Sequence, residues 1–78
     1  MDIKFLGNWT ETVNDDGTEY RIDFNAIDDQ GGCHAGVLTA FRPAGEAEIS
    51  AGDSQILFYD GPLLYADDLV ALAPDLPE

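Results

Sequence analysis

A strict period-2 alternation, broken by a single turn signal, constrains this chain more than any other feature. Ile3, Phe5, Gly7, Trp9 and Val13 share odd parity, with Lys4, Asn8, Thr10 and Thr12 between them, the pattern of a half-buried β-strand. Only Leu6 and Glu11 break it. Asn14-Asp15-Asp16-Gly17 follows, and then Tyr20, Ile22 and Phe24 alternate with Glu19, Arg21, Asp23 and Asn25. Asp-Gly favours the positive φ angles of a type I′ hairpin turn. With Asp16-Gly17 as the loop, Val13 is expected opposite Tyr20, Glu11 opposite Ile22 and Trp9 opposite Phe24. Thr12 then faces Arg21, and Thr10 faces Asp23. One face becomes an aromatic and aliphatic slab, so Trp9, Tyr20, Ile22 and Phe24 are the predicted core.

The rest of the chain continues in the same style. Asp28-Asp29-Gln30-Gly31-Gly32 reads as a loop, and Gly36 to Arg42 as a strand that Pro43 ends. In that strand Val37, Thr39 and Phe41 form one face, and Leu38 and Ala40 the other. After Ala44-Gly45, the run Glu46 to Ser50 alternates again, and Gly52-Asp53 is a further turn. Gln55 to Tyr59 is apolar enough to suggest a strand covered on both faces. Asp60-Gly61-Pro62 then leads into Leu63 to Tyr65. Residues 66–72 fit either a short helix or a terminal strand. Helical spacing is weak and Pro74 and Pro77 close the chain, which favours the strand. The expected fold is mainly β: one domain over residues 1–78, a single curled antiparallel sheet of about five strands, with at most one short helix near the C-terminus.

Size and charge bound what such a domain can do. A chain of 78 residues buries only about 60–65% of its unfolded surface, enough for one core. Hydrophobic content of 45% lies in the globular range. No basic segment precedes an apolar run, so neither a signal peptide nor a membrane span is expected, and the lone Cys33 fits a reducing compartment. A cytoplasmic protein is the resulting expectation. Sixteen acids against three bases give a net charge of -13. Repulsion on that scale opposes compaction, so the charge is either a solubility or halophile adaptation or a field aimed at a positively charged partner. It also favours a monomer at low salt.

Catalytic and metal-binding patterns are weak. His34 is the single histidine and its neighbour Cys33 the single cysteine, and adjacent strand residues point to opposite faces. The two aspartate loops offer oxygen ligands without the spacing of a calcium hand, and zinc lacks a Cys/His set. No enzyme activity, metal or cofactor is expected. Three bases cannot form the basic footprint needed to bind nucleic acid directly.

The acids themselves are therefore the candidate site. They are Asp15, Asp16 and Glu19 at the first hairpin tip, Asp28 and Asp29 in the next loop, Glu46 and Glu48 on one strand face, and Asp67 with Asp68. Surface scaling gives roughly one net charge per 350 Å², against roughly one per 110 Å² for a duplex about 20 Å across. Imitating DNA thus requires these acids to cluster. In length and in acids such as Asp15, Asp16, Asp28, Asp29, Asp67 and Asp68, the chain resembles the small phage-encoded anti-defence proteins, especially DNA-mimicking anti-CRISPR proteins. The resemblance implies a non-enzymatic inhibitor in the host-cell cytoplasm. Such a protein occupies the basic DNA path of a CRISPR effector complex and blocks target binding. An immunity or accessory protein for another basic partner is the alternative.

Overall fold

The computed structural model describes residues 1–45 and 54–74. Four strands, β1 (Asp2–Asn14), β2 (Gly17–Ile27), β3 (Cys33–Pro43) and β4 (Ser54–Tyr59), are followed by one helix, α1 (Ala66–Leu72). The strands lie in the order β1-β2-β3-β4 in one open antiparallel sheet. A single antiparallel sheet is as expected, with four described strands against about five. The strand expected over Glu46 to Ser50 lies outside the described residues. Residues 63–65 are not strand, and residues 66–72 are helix. What decides the helix is tertiary burial. Its Leu69 is fully buried and its Val70 packs against the sheet, and packing of one apolar stripe outweighs weak local propensity.

The expected core is present. Trp9, Tyr20, Ile22, Phe24, Ala26, Leu38, Ala40 and Leu69 are buried together, with Ile3, Phe5, Ile56 and Tyr59 packed around them. Alternation explains the set: odd residues of β1 and even residues of β2 and β3 share one face, and α1 lies on that face. The Trp9 indole N–H donates to the Pro74 carbonyl at 2.8 Å, tying the end of the helical segment to β1. Trp9 also meets the edge of Tyr20, with ring centroids 6.5 Å apart.

The hairpin register differs from expectation by one step. Asn14 pairs with Gly17, Thr12 with Glu19 and Thr10 with Arg21, so the loop is Asp15-Asp16 and not Asp16-Gly17. Asn14 is the cause. Its Oδ1 accepts the N–H groups of Asp16 at 2.9 Å and Gly17 at 3.1 Å, an Asx turn that needs no positive φ at either aspartate. Gly17 then enters β2 where a Cβ would lie 2.3 Å from the Arg42 carbonyl oxygen. Face parity survives because the shift is two residues in the pairing sum. A second irregularity lies between Leu6 and Thr10, where the ladder slips. Gly7 there has φ +80°, and Asn8 Oδ1 accepts the Trp9 N–H at 2.8 Å. Beyond it Phe5, not Trp9, stands opposite Phe24.

Among the described residues no helix covers the opposite face of the sheet, the open face, on which Thr39 is nonetheless buried between its neighbours. β4 is not covered on both sides as its apolar run suggests: Ile56 and Tyr59 pack into the core, whereas Leu57 is 58% and Phe58 52% exposed. A register slip between Val37 and Leu38 puts both on the open side. Among the described residues no helix is long and apolar enough to cross a membrane.

Candidate functional site

The acids fall at two ends of the sheet and on the helix. At the turn end, Asp15 and Asp16 are exposed on the β1–β2 loop, which the Asn14 side chain holds. The Asp16 carbonyl accepts the Ala44 N–H at 2.9 Å, so this loop is braced against the end of β3. Glu19 is exposed two residues into β2, between Thr12 and Phe41, and its odd parity places it on the open face.

At the other end, the β2–β3 loop is built by Asp28. Its Oδ1 accepts the N–H groups of Gln30 at 2.9 Å and Gly32 at 2.7 Å, and its Oδ2 lies 2.8 Å from His34 Nε2. An ionised carboxylate only accepts, so Nε2 carries the proton. The other ring nitrogen, Nδ1, lies 3.7 Å from Asp60 Oδ1. His34 therefore stands between two carboxylates from two connections, with Tyr59 at its ring edge, 6.3 Å between centroids. Asp29 is exposed beside the N-terminal ammonium at 3.6 Å. Asp2 is exposed opposite Ile27, one residue from this loop. A cavity of about 390 Å³ opens here between Met1, Asp28, Asp29, Gln30 and Pro62.

Hydrogen bonding, first from His34 and then from the Gly32 N–H, holds the Asp28 carboxyl below the usual aspartate range. Burial pushes the Tyr59 phenol above its usual value, and the charges of Asp60 and Asp28 add to that. A lowered aspartate stabilises the fold above its unfolded-state value, and that contribution is lost as pH falls through the folded value. The relevant window is thus the acid side of the normal aspartate range. Replacing His34 with Phe should move the Asp28 titration, followed by carboxyl carbon NMR, up towards the normal range. The Gly32 and Gln30 bonds should keep part of the shift. An unchanged Asp28 midpoint would show that His34 is not its principal partner.

Asp67 and Asp68 are exposed in the first turn of α1, over the core face. The candidate acids thus form three groups. Asp15 and Asp16 are separated from Asp28 and Asp29 by the eleven residues of β2, roughly 33–36 Å of strand. The sheet does not bring those two pairs together. Glu46 and Glu48 lie outside the described residues. Asp60, Asp2 and His34 join the loop end although sequence reasoning left them out. Asp60 needed the pairing of Gly36 with Tyr59, a contact between distant segments that no local pattern announces. Asp28 and His34 had a local signal: Ile27 and Cys33 begin the β2–β3 ladder, so the residues flanking them meet.

Charge is also divided between the faces. The open face carries Asp2, Lys4, Glu19, Arg21 and Asp23 by strand parity, three acids and two of the three bases. Eight described acids and Arg42 lie elsewhere, at the ends, on the core side and on the helix. Arg42 sits over the Tyr20 ring at 5.8 Å. Among the described residues no group of three His, Cys, Asp or Glu side chains is arranged to hold a metal ion.

Fold and charge together define a small open-sheet β-domain with strongly acidic ends and one nearly neutral face. Comparison with protein-family models, with curated proteins and with solved structures found no match.

Proposed function

We propose that this protein is a non-enzymatic inhibitor that occupies a basic, DNA-binding surface, in the manner of an anti-CRISPR protein acting as a DNA mimic. The observation that carries this reading is the division of charge, which leaves eight described acids against one base everywhere except the open face. Dimensions support it. The body measures 44 × 22 × 18 Å, and its short axes bracket the roughly 20 Å width of a duplex. The eleven acids and three bases of the described residues leave -8 along 44 Å, one net charge per 5.5 Å, sparser on average than the roughly 3.4 Å spacing along one strand of DNA. Local density at the two ends exceeds that mean, because the acids gather there. A lysine- and arginine-lined groove would meet this body as it meets a short stretch of nucleic acid backbone.

Paired charge reversal tests the reading. Asp15 and Asp16 to Lys, or Asp67 and Asp68 to Lys, should each weaken inhibition far more than reversal of one acid alone, with the fold intact because these positions are exposed. Asp28 is a poor choice for reversal, since its carboxylate organises its own loop. Asp29 with Asp60 probes the loop end instead. The measurement is DNA binding by purified CRISPR effector complexes with wild-type or reversed protein at two salt concentrations. Inhibition should fall steeply with salt and compete with duplex DNA. If all three reversed pairs inhibit as well as the wild type, or if no basic DNA-binding protein loses DNA, the mimic reading fails. Tight binding to one basic protein that DNA cannot displace would instead favour the immunity or accessory-protein alternative.

A further inference from the structure

Among the described residues, the open face carries the least net charge, so a like-charged molecule meets little repulsion there. Its five charged residues sum to -1, whereas the described remainder sums to -7. It also displays three of the exposed large apolar side chains, Leu6 at 46%, Leu57 at 58% and Phe58 at 52% exposure, with half-buried Val37 and Phe41 beside them. A basic partner would find little to bind here, so this face does not serve the reading above.

We infer that the open face is a homodimer interface, on which a second copy of this chain packs sheet against sheet across a two-fold axis running perpendicular to the strands at the level of Ile22.

Register supplies the self-complementarity. On the open face, Leu6, Asp23, Val37 and Phe58 form one row across the four strands, and Thr10, Arg21, Thr39 and Gln55 form the next. An axis between the rows lays each on the other row of the partner copy. Arg21 then meets Asp23 of the second copy, and Asp23 meets its Arg21. Two ion pairs result from one contact, as an isologous interface requires. No ion pair of Arg21 is seen among the described residues, so the pairing breaks no existing one. Leu57, between the rows on β4, falls near the axis against its own copy. The slip between Leu6 and Thr10 leaves a shallow hollow of about 390 Å³ beside Arg21 and Asp23, which gives the long side chains room to extend.

Area and charge agree with a moderate, salt-dependent dimer. Four strands at about 4.8 Å spacing and roughly 30 Å of length give a face of about 600 Å², of the order of the 800 Å² that each partner buries in a standard interface. The acidic ends of the two copies still repel, and about 0.15 M salt, with a Debye length near 8 Å, screens most of that. Association should therefore strengthen as salt rises, opposite to the salt dependence expected for binding a basic partner.

Sedimentation equilibrium of the whole chain, 8.4 kDa, at low and at moderate salt tests the inference. Wild-type protein should shift towards twice the monomer mass as salt and concentration rise. Arg21→Asp and Asp23→Arg should each weaken association at least about tenfold, and an equimolar mixture of the two should recover it, because each supplies the charge the other lacks. Leu57→Ser should weaken it comparably while leaving charge unchanged. All three positions are exposed, and circular dichroism confirms the fold of each variant. A wild type that stays monomeric at every salt and at several hundred micromolar overturns the inference. So does a dimer that all three substitutions leave unaffected, or one that the mixed variants fail to restore.

Discussion

Phe24→Ala should destabilise the protein by about 3–5 kcal/mol. The phenyl ring is fully enclosed. It stacks on Tyr59 with centroids 5.7 Å apart and an interplanar angle of 28°, and tilts against Phe5 at 6.3 Å. Those contacts join β1, β2 and β4 through one side chain. Deleting a buried phenyl ring removes its transfer free energy and leaves a cavity, which together cost the amount stated. Total stability for a chain this size is about 4–12 kcal/mol at typical per-residue values, so this single change consumes much of it. Urea denaturation gives the number, with Phe24→Leu as a milder companion that keeps part of the volume. A loss below about 1 kcal/mol would mean that the ring is not enclosed as described.

The second large effect is expected at a residue with no side chain. Gly36 stands opposite Phe24 in the β2–β3 ladder, and a Cβ there would lie 2.3 Å from Phe24 Cζ and under 3 Å from two further ring atoms. The ring occupies the space that any larger residue at position 36 would need. Phe5 and Tyr59 hold it from the other sides, so it cannot swing away freely. Gly36→Ala should therefore cost about 1–3 kcal/mol, the range for overpacking a filled core. A coupling measurement separates this cause from a general intolerance of the strand. In a Phe24→Leu background the same substitution should cost clearly less, because the group it strikes has been shortened. Equal costs in the two backgrounds would show that the ring is not the obstacle.

Both predictions rest on parity that could be read directly from the residues. Trp9, Tyr20, Ile22 and Phe24 alternate with charged or polar neighbours, and a period-2 pattern assigns a face whatever the exact pairing. That is why the core survived an error in the turn. Asp16-Gly17 looked like the loop because Asp-Gly suits positive φ. Asn14 instead accepts two N–H groups and moves the loop to Asp15-Asp16. The choice between two local hydrogen-bonding schemes depended on how Gly17 fits under Arg42 and Phe41, and those residues are distant in sequence.

The acids divide in the same way. Their number, their placement in loops and the absence of bases to offset them were plain from composition. So was the location of Asp15 and Asp16 at a hairpin tip. Their separation from Asp28 and Asp29 followed once β2 was given its length, but the convergence of Asp60 and Asp2 on the Asp28 loop required strand order. The same holds for the neutral face. Lys4, Arg21 and Asp23 share it only because β1 and β2 pair as they do, and Leu57 and Phe58 join it only through a slip opposite Val37.

That this is a small, mainly β protein with an acidic body, and which residues of the first hairpin are buried, is legible in the residues alone. Those properties are set by alternation, turn chemistry and charge count, all of which act over a few residues or over the whole chain regardless of shape. The open sheet, the helix over residues 66–72 and the sorting of the described charge into two ends and a nearly neutral face emerge only in three dimensions. Each of these depends on contacts between segments far apart in the chain. Leu69 and Val70 gain burial only where β1 to β4 have already formed a surface to cover, and an apolar β4 can be exposed on one side only when the helix has taken the other.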